Sequence, residues 1–319
     1  MKKILVTGAA GQIGSELTLT LRKRYGIENV IASDYSRKYQ GELLKSGPFE
    51  FADARSYDEM KAICDKYAIG TIYHLAALLS ATGEANPQLA WDINITGLLT
   101  VLEISRQKKC SVFTPSSIGA FGPSTPKEGT PQDTVQRPTS MYGITKVSGE
   151  LLCDYYFLKY NTDTRGLRYP GIISYVAPPG GGTTDYAVDI YYKALEEKKY
   201  TCFLKSDTKL DMMYMPDAIN AAINLMEADP ANLVHRNAFN VTAMNFTPEK
   251  LSEAIKKFIP DFKINYSVDP VRQGIADSWP DYMDDSAARA EWGWSPQYDL
   301  AGMTEDMLKN LSIKLKIKL

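Results

Sequence analysis

Near its start the chain reads Ile4-Leu5-Val6-Thr7-Gly8-Ala9-Ala10-Gly11-Gln12-Ile13-Gly14. An apolar run that ends in a glycine turn and passes into a helix predicts a strand, turn and helix of a doubly wound α/β fold. Gly8 lets the chain reverse, Gly11 lets backbone N–H groups approach a pyrophosphate, and Gly14 lets the helix pack closely on the strand. Gln12 and Ile13 form the positive N-terminus of that helix. The stretch therefore predicts a dinucleotide-binding turn.

A carboxylate at the end of the second predicted strand indicates which dinucleotide binds. The spacing Gly-x-x-Gly-x-x-Gly differs from the common Gly-x-Gly-x-x-Gly form, so the turn needs a second feature beside it. Asp34 lies about 20 residues beyond Gly14, where a carboxylate can accept both hydroxyls of the adenosine ribose. It would repel a 2′-phosphate, which favours NAD over NADP, with Arg37 as the nearby residue that could soften this preference. The alternative is a structural glycine turn beside a surface aspartate.

Composition and charge exclude several classes of partner. The chain has 319 residues, 44% of them hydrophobic, and carries 36 Lys and Arg against 38 Asp and Glu. No positive excess indicates a nucleic acid or an acidic membrane surface. Four widely spaced cysteines and two histidines predict no metal site. Because neither a signal-peptide core nor an apolar stretch of about 18 residues occurs, we expect a soluble protein of the cytoplasm or another reduced compartment, the mitochondrial matrix included.

Apolar, β-rich runs alternate with segments of helical spacing, which predicts a parallel sheet covered on both faces. The predicted strands cover 3–7, 29–33, 49–51, 71–75, 111–114 and 165–169, and the predicted helices between them cover 13–25, 56–67, 87–108 and 142–160. Residues 1–171 are therefore predicted to form a Rossmann domain. After a loop at 178–182, helices near 186–198, 215–226, 247–257 and 301–311 predict a smaller C-terminal substrate lobe over 172–319, some segments of which return to the first domain.

Tyr142 and Lys146 are one helical turn apart and form the candidate catalytic pair. A free tyrosine has a pKa of about 10 and is a poor base near neutrality, but a nearby ammonium favours the phenolate. Residues at i and i+4 share a helix face, so Lys146 can lie beside the phenol and bind the nicotinamide ribose. Ser117, at a predicted strand end, would hydrogen-bond an alcohol oxygen, although its neighbour Ser116 could take that role instead. Taken alone, a tyrosine and a lysine at this spacing are a frequent feature of surface helices.

Taken together, these motifs resemble the extended branch of the short-chain dehydrogenase/reductase superfamily. The stretches that carry the resemblance are 7–14, Asp53-Ala54-Arg55, His74-Leu75-Ala76-Ala77, Asn94, Ser116-Ser117 and Tyr142-Gly143-Ile144-Thr145-Lys146. Membership implies that Asn94 supports the active-site helix and a water relay, that Asp53 and Ala54 meet the adenine, and that Leu75, Ala76 and Ala77 line the cofactor. It implies a cofactor contact for Tyr169 as well. His74 is then a packed strand residue, and pairing of two copies through 87–108 and 142–160 is expected.

The substrate must be argued separately, because most extended members act on nucleotide sugars. The Asn that such enzymes usually place soon after the aromatic is missing beyond Tyr169. The stretches 115–122, 179–187, 276–280, 284–289 and 292–294 resemble short-chain-type L-threonine 3-dehydrogenases. That resemblance implies that Thr183 and Asp185 face an amino acid and that Ser80 adds a polar contact. Alternatively, Thr183 or Thr184 caps the following helix and Asp185 merely lies in its first turn.

The sequence therefore predicts NAD-dependent oxidation of the β-hydroxyl of L-threonine to 2-amino-3-oxobutanoate, with Tyr142 as base. An amino acid is the expected substrate, and a downstream enzyme that captures the β-keto acid is an expected partner, as is a second copy in a homodimer. The alternative is a nucleotide-sugar epimerase or dehydratase of the same extended type. A non-catalytic NAD sensor is a third reading, which the intact Ser117, Tyr142 and Lys146 set disfavours.

Overall fold

The structure is a computed structural model that describes residues 3–178 and 182–318. Residues 179–181 of the predicted loop, and Leu319, therefore lie outside the described residues. The strands are β1 (Lys3–Thr7), β2 (Val30–Asp34), β3 (Phe49–Phe51), β4 (Ile69–His74), β5 (Ser111–Ser117), β6 (Thr164–Tyr169), β7 (Gly171–Ile173), β8 (Lys199–Cys202), β9 (Leu210–Tyr214), β10 (Phe239–Asn240), β11 (Met244–Phe246) and β12 (Lys263–Tyr266).

The helices flank these strands in the predicted alternation. They are α1 (Gln12–Tyr25), α2 (Tyr57–Tyr67), α3 (Ser80–Ala85), α4 (Pro87–Trp91), α5 (Gly97–Lys108), α6 (Met141–Tyr160), α7 (Tyr186–Glu197), α8 (Met215–Glu227), α9 (Pro248–Lys256), α10 (Pro270–Asp277), α11 (Ser286–Trp292) and α12 (Leu300–Leu315). The predicted helix 87–108 is broken by a π-helical turn at Asp92–Thr96. No helix within the described ranges combines the length and apolarity that crossing a membrane requires.

A seven-stranded sheet confirms the predicted α/β fold. Its strand order is β10-β6-β5-β4-β1-β2-β3, and the pairs β1–β2, β1–β4, β2–β3 and β4–β5 are parallel. The chain moves outward from β1 in both directions, which is the doubly wound topology. Strands β2 and β6 are buried at every position, as expected for a sheet covered on both faces. The carboxyl ends of β1, β4 and β5 consequently lie side by side.

The active-site helix α6 has well-defined ends. The Ser140 hydroxyl accepts from the backbone N–H of Gly143 at 3.1 Å, which caps the N-terminus just before Tyr142. At the other end Asn161 adopts the left-handed conformation with φ 53°, a common helix stop. The helix therefore begins at Met141, so Tyr142 lies in its first turn and Lys146 in its second.

The chain divides into two compact units, each built from more than one stretch. Unit 1 comprises Met1–Ala120, Pro138–Arg168 and Ile219–Phe239, and unit 2 comprises Phe121–Arg137, Tyr169–Ala218 and Asn240–Leu319. Unit 1 has an aliphatic core between sheet and helices that includes Leu5, Ile31 and Ile72, all fully buried. Unit 2 has its own core, in which Tyr191 of α7 packs with Met303 and Leu308 of α12. Each unit thus buries a separate set of apolar side chains.

Candidate active site

The glycine turn of unit 1 is shaped as a cradle in which a side chain would not fit. Gly8 has a φ of 66°, and a Cβ added there would lie only 2.6 Å from the backbone nitrogen of Ala76. A Cβ added at Gly14 would overlap the Gly8 carbonyl oxygen. These contacts bring the turn after β1 against residues 75–77 after β4, two segments that were predicted to line the cofactor. A backbone this close to helix α1 offers N–H groups to a pyrophosphate, so the residues present fit a dinucleotide.

Asp34 lies beside the same turn. Its Oδ2 accepts from the backbone N–H of Ala10 at 3.0 Å, and its Oδ1 accepts from the backbone N–H of Ser36 at 3.1 Å. Each carboxylate oxygen can accept a further hydrogen bond. The Arg37 guanidinium stacks over the Phe51 ring at 5.9 Å from its centroid. Asp34 is thus held in one orientation by the cradle, in the place where a ribose acceptor is needed.

Asp53 is engaged by its own neighbour. Its carboxylate receives the backbone N–H of Arg55 at 2.9 Å and the Arg55 Nη2 at 2.6 Å. These hydrogen bonds from Arg55 lower the pKa of Asp53. Arg55 also pairs with Asp92 at 2.5 Å. The Asp53 side chain therefore shapes the loop after β3. The next residue, Ala54, is almost fully buried and packs beside the start of α5.

Tyr142 and Lys146 come together as their spacing predicts. The Lys146 ammonium lies 5.4 Å from the centroid of the Tyr142 ring. Its Nζ also donates to the backbone carbonyl oxygen of Pro115 at 2.7 Å, which ties α6 to β5. Both side chains are only half-buried. A phenol beside an ammonium is an arrangement that can take a proton from an alcohol.

The structure distinguishes Ser117 from Ser116. The Ser117 hydroxyl accepts from the backbone N–H of Gly119 at 3.1 Å, and a Cβ built on Gly119 would lie 3.4 Å from the Tyr142 ring and 3.5 Å from Ser117 Oγ. Ser117 and Tyr142 therefore flank the same glycine. The hydroxyl of Ser116, in contrast, is buried and donates to the carboxylate of Glu150. The geometry supports Ser117 as the residue that orients an alcohol.

Asn94 lies in the π-helical turn and clamps a backbone segment. Its Oδ1 accepts from the N–H of Leu78 at 2.7 Å, and its Nδ2 donates to the carbonyl of Leu78 at 3.1 Å. The same Nδ2 lies 3.0 Å from the Thr145 hydroxyl of α6. A π turn is frequent at functional sites because it redirects side chains. Here Asn94 connects the loop that leads to Ser80 with the active-site helix.

An internal space of about 40 Å³ in unit 1 is lined in part by predicted cofactor residues. Its lining includes His74, Leu75, Ala76, Ala77, Asn94 and Lys146. The imidazole of His74 is buried and its Nδ1 lies 2.8 Å from the Thr7 hydroxyl. Burial and, secondarily, the charge of Lys146 lower the pKa of His74 to about 3. His74 is therefore neutral and packs within the strand, as predicted, rather than acting as a base.

The remaining predicted residues lie elsewhere. Ser80 is the first residue of α3 in unit 1. Thr183 is buried in unit 2, and the Asp185 Oδ2 accepts from the backbone N–H of Gly182 at 2.8 Å, so Asp185 closes its own turn before α7. Tyr169, also in unit 2, is buried and donates its hydroxyl to the Ala218 carbonyl at 2.6 Å. Asp185 and Tyr169 thus have structural hydrogen bonds irrespective of any ligand.

Three polar contacts around the site were not anticipated. Thr145 relays between Asn94 and the Tyr142 carbonyl, to which its hydroxyl donates at 2.8 Å. A Glu84 carboxylate oxygen accepts from the Met141 backbone N–H at 2.5 Å and so caps α6 from α3. Glu150 pairs with Arg168 beneath the site. Arginine inside the predicted strand 165–169 is the signal that could have predicted the last contact, because a charged side chain buried in a sheet must find a partner.

Comparison with known proteins identifies the family. The model of the NAD dependent epimerase/dehydratase family matches residues 4–242. An uncharacterized epimerase/dehydratase of Staphylococcus saprophyticus is 57% identical, with 99% of each chain covered. The structure of L-threonine dehydrogenase from Clostridium difficile is 58% identical, with a TM-score of 0.97 and 98% of each chain covered. A monomeric L-threonine 3-dehydrogenase from a metagenome is 46% identical, with a TM-score of 0.92 over 98% of this chain and 99% of that one. The chain belongs to the NAD dependent epimerase/dehydratase family.

Proposed function

We propose that this protein is an NAD-dependent L-threonine 3-dehydrogenase. The observation that carries the proposal is the Lys146 ammonium over the Tyr142 ring, with Ser117 Oγ and the Tyr142 ring both next to Gly119. Solved structures of L-threonine dehydrogenases resemble this chain over almost its whole length, which supports threonine as the substrate.

The proposed mechanism assigns one task to each residue. Ser117 donates a hydrogen bond to the β-oxygen of threonine and holds it toward the phenol. The Tyr142 phenolate, favoured by the Lys146 ammonium, accepts the proton of that hydroxyl as the C–O bond becomes a carbonyl. NAD, when bound, supplies the acceptor for the hydride that leaves the β-carbon. The products are 2-amino-3-oxobutanoate, NADH and a proton.

A zwitterionic substrate needs an acceptor for its ammonium and donors for its carboxylate, since an unpaired charge is costly to bury. We propose Asp185 as the ammonium acceptor, with Thr183 and Ser80 as further polar contacts. A carboxylate has room for more than one donor, so the bond from Gly182 does not preclude this role. The support for these three residues is the sequence resemblance and the chemistry of the substrate.

The chemistry of the product implies a partner. A β-keto acid loses carbon dioxide readily, which here would give aminoacetone. We propose that an enzyme that consumes 2-amino-3-oxobutanoate acts directly after this one.

We also propose that two copies pair through helix α6. Ile144, Leu151, Tyr155 and Leu158 recur at helical spacing on one face of α6, and their side chains are 42–80% exposed. A contiguous exposed apolar stripe of this kind is typical of an interface. The 46% identical enzyme is described as monomeric, so pairing must be measured for this chain.

The test of function is NADH formation with L-threonine, L-serine, 3-hydroxybutyrate and UDP-glucose. Turnover with threonine is the expected result, and turnover or thermal stabilisation with UDP-glucose alone would favour a nucleotide-sugar enzyme. Tyr142→Phe should abolish turnover and leave NAD binding nearly intact. Tyr155→Phe on the exposed face of the same helix is the matched control and should retain full activity. Normal turnover by Tyr142→Phe would remove the assignment.

A further inference from the structure

A buried ion pair joins the active-site helix to the central sheet. Glu150 lies on α6, one helical turn beyond Lys146 and on the same face. Arg168 in β6 reaches it with a two-pronged contact: Nε donates to Oε1 at 3.1 Å, and Nη2 donates to Oε2 at 2.9 Å. The two side chains are 7% and 8% exposed. Burying two charges is costly even when they are paired, so such a pair indicates a role beyond packing.

The Glu150 carboxylate has a second partner on the strand that carries Ser117. The buried hydroxyl of Ser116 donates to Oε1 of Glu150. Ser116 and Ser117 are consecutive in β5. A tether on Ser116 therefore also holds the backbone from which Ser117 projects. Through Arg168 and Ser116, one carboxylate holds α6 against both β6 and β5.

The ion pair also belongs to the electrostatic surroundings of the phenol. Glu150, Ser116 and Lys146 line the same internal space, and the Lys146 ammonium lies over the Tyr142 ring. With Glu150 and Arg168 both charged, their sum is zero and Lys146 supplies the net positive charge. Removal of Glu150 alone would leave the buried Arg168 guanidinium without this counter-charge, in addition to the Lys146 ammonium.

We propose that Glu150, together with Arg168, is a positioning residue for the Ser117, Tyr142 and Lys146 set. Its carboxylate aligns α6 with β5 and balances the charge behind Lys146. This inference rests on the proposed dehydrogenase function, because it assigns a role within the same site.

The test uses three variants of the full-length protein in pH profiles of threonine oxidation. Glu150→Gln keeps the shape of the side chain and leaves Arg168 uncompensated, so the acidic limb of the profile should move to lower pH, by about one unit. The double variant Glu150→Gln/Arg168→Met removes both charges, so the limb should return to the parent position. Ser116→Ala keeps the ion pair, so kcat should fall by about tenfold to a hundredfold with the limb unmoved and both KM values little changed.

A surface ion pair provides the matched control. Glu103 and Arg106 on α5 are joined at 2.5 Å in partly exposed surroundings, and Glu103→Gln should leave both rate and profile unchanged. Parent-like kinetics for Glu150→Gln would overturn the inference. Glu150→Gln and the double variant could also lose the same amount of activity, keep the parent pH profile and melt at a lower temperature. That result would mean that the ion pair is only structural, and it would overturn the inference as well.

A measurement without substrate separates this inference from the proposed function. Tyrosine labelled with ¹³C at Cζ, with Tyr142→Phe to assign the resonance, reports the pH at which the phenol loses its proton. The pH at which the phenol loses its proton should rank the variants in the same order as the acidic limbs of their kinetic profiles. If the parent protein does not oxidise threonine, the proposed function fails, and the order of these titrations still decides the role of Glu150.

Discussion

The Asn94 amide and the Thr145 hydroxyl are 3.0 Å apart, and this contact joins the π-helical turn to the active-site helix. The Thr145 hydroxyl in turn donates a hydrogen bond to the backbone carbonyl of Tyr142. On its other side Asn94 makes two hydrogen bonds to the backbone of Leu78. One buried side chain thus sets the positions of two segments of the site.

Replacement of Asn94 by Ala should therefore reduce both stability and rate. The backbone groups of Leu78 would lose their partners, which we expect to lower the free energy of unfolding by about 1–3 kcal/mol. Misalignment of Tyr142 should lower kcat by about tenfold or more. Denaturant titration and NADH formation measure the two effects. Asn265→Ala, at an exposed position on β12, is the control, and parent-like kinetics for Asn94→Ala would contradict the positioning role.

The Asp34 carboxylate should determine the choice between NAD and NADP. It is held beside the glycine turn by the Ala10 and Ser36 amides, and its charge would repel a 2′-phosphate. In Asp34→Ala the ratio of kcat/KM for NAD to that for NADP should fall by at least about tenfold, which corresponds to about 1.4 kcal/mol. Asp58→Ala, exposed in the first turn of α2, should leave the ratio unchanged. An unchanged ratio in Asp34→Ala would show that other residues read the ribose.

The cofactor turn and the catalytic pair could be predicted because local sequence determines their geometry. A strand followed by glycines and a helix specifies the turn at Gly8, where only glycine fits. An i, i+4 spacing places Tyr142 and Lys146 on one helix face whatever surrounds them. The predicted boundaries of β1 and β3 agree with the structure, and α6 begins one residue earlier than predicted.

Features that depend on tertiary contacts could not be predicted from local sequence. Apolar spacing over 87–108 predicts one regular helix, and nothing local reveals the π turn that directs Asn94 inward. The choice between Ser116 and Ser117 depends on which of the two hydroxyls is engaged by Glu150, a residue distant in sequence. The sequence predicts that some C-terminal segments return to the first domain, but the identity of one of them, Ile219–Phe239, is a long-range arrangement that sequence periodicity does not encode.

Asp211 in unit 2 should make stability depend on pH. It is buried, and its carboxylate accepts from the Thr242 hydroxyl at 2.5 Å and from the Met283 N–H at 3.0 Å. Burial raises the pKa of Asp211 to about 8, against about 3.9 for an unfolded aspartate. The folded state therefore keeps a proton that the unfolded state releases. The resulting stabilisation is complete below about pH 4 and is lost as pH rises toward 8.

Asp211→Asn cannot ionise, so its melting temperature relative to the parent should be higher at pH 8 than at pH 5. The amide oxygen of asparagine can still accept from the Met283 N–H, and any effect of replacing the other oxygen by an NH2 group is the same at both pH values and cancels in the comparison. Differential scanning calorimetry at the two pH values provides the measurement. Asp207→Asn, on an exposed turn, should show no such difference. If the melting temperatures of Asp211→Asn and the parent differ by the same amount at both pH values, Asp211 is ionised in the folded protein.

Charge on the apolar stripe of α6 should separate two paired copies. Leu151 and Leu158 are 62% and 80% exposed on the same face, and burial of such side chains against a second copy would contribute about 1.5–3 kcal/mol each. Lysine at both positions should convert a particle with the mass of two chains into one with the mass of a single chain, as measured by light scattering. Val271→Lys, at a 70% exposed position on α10, should not change the mass. A parent protein with the mass of one chain at micromolar concentration would refute the proposed pairing, because the stripe would then be exposed without a partner copy.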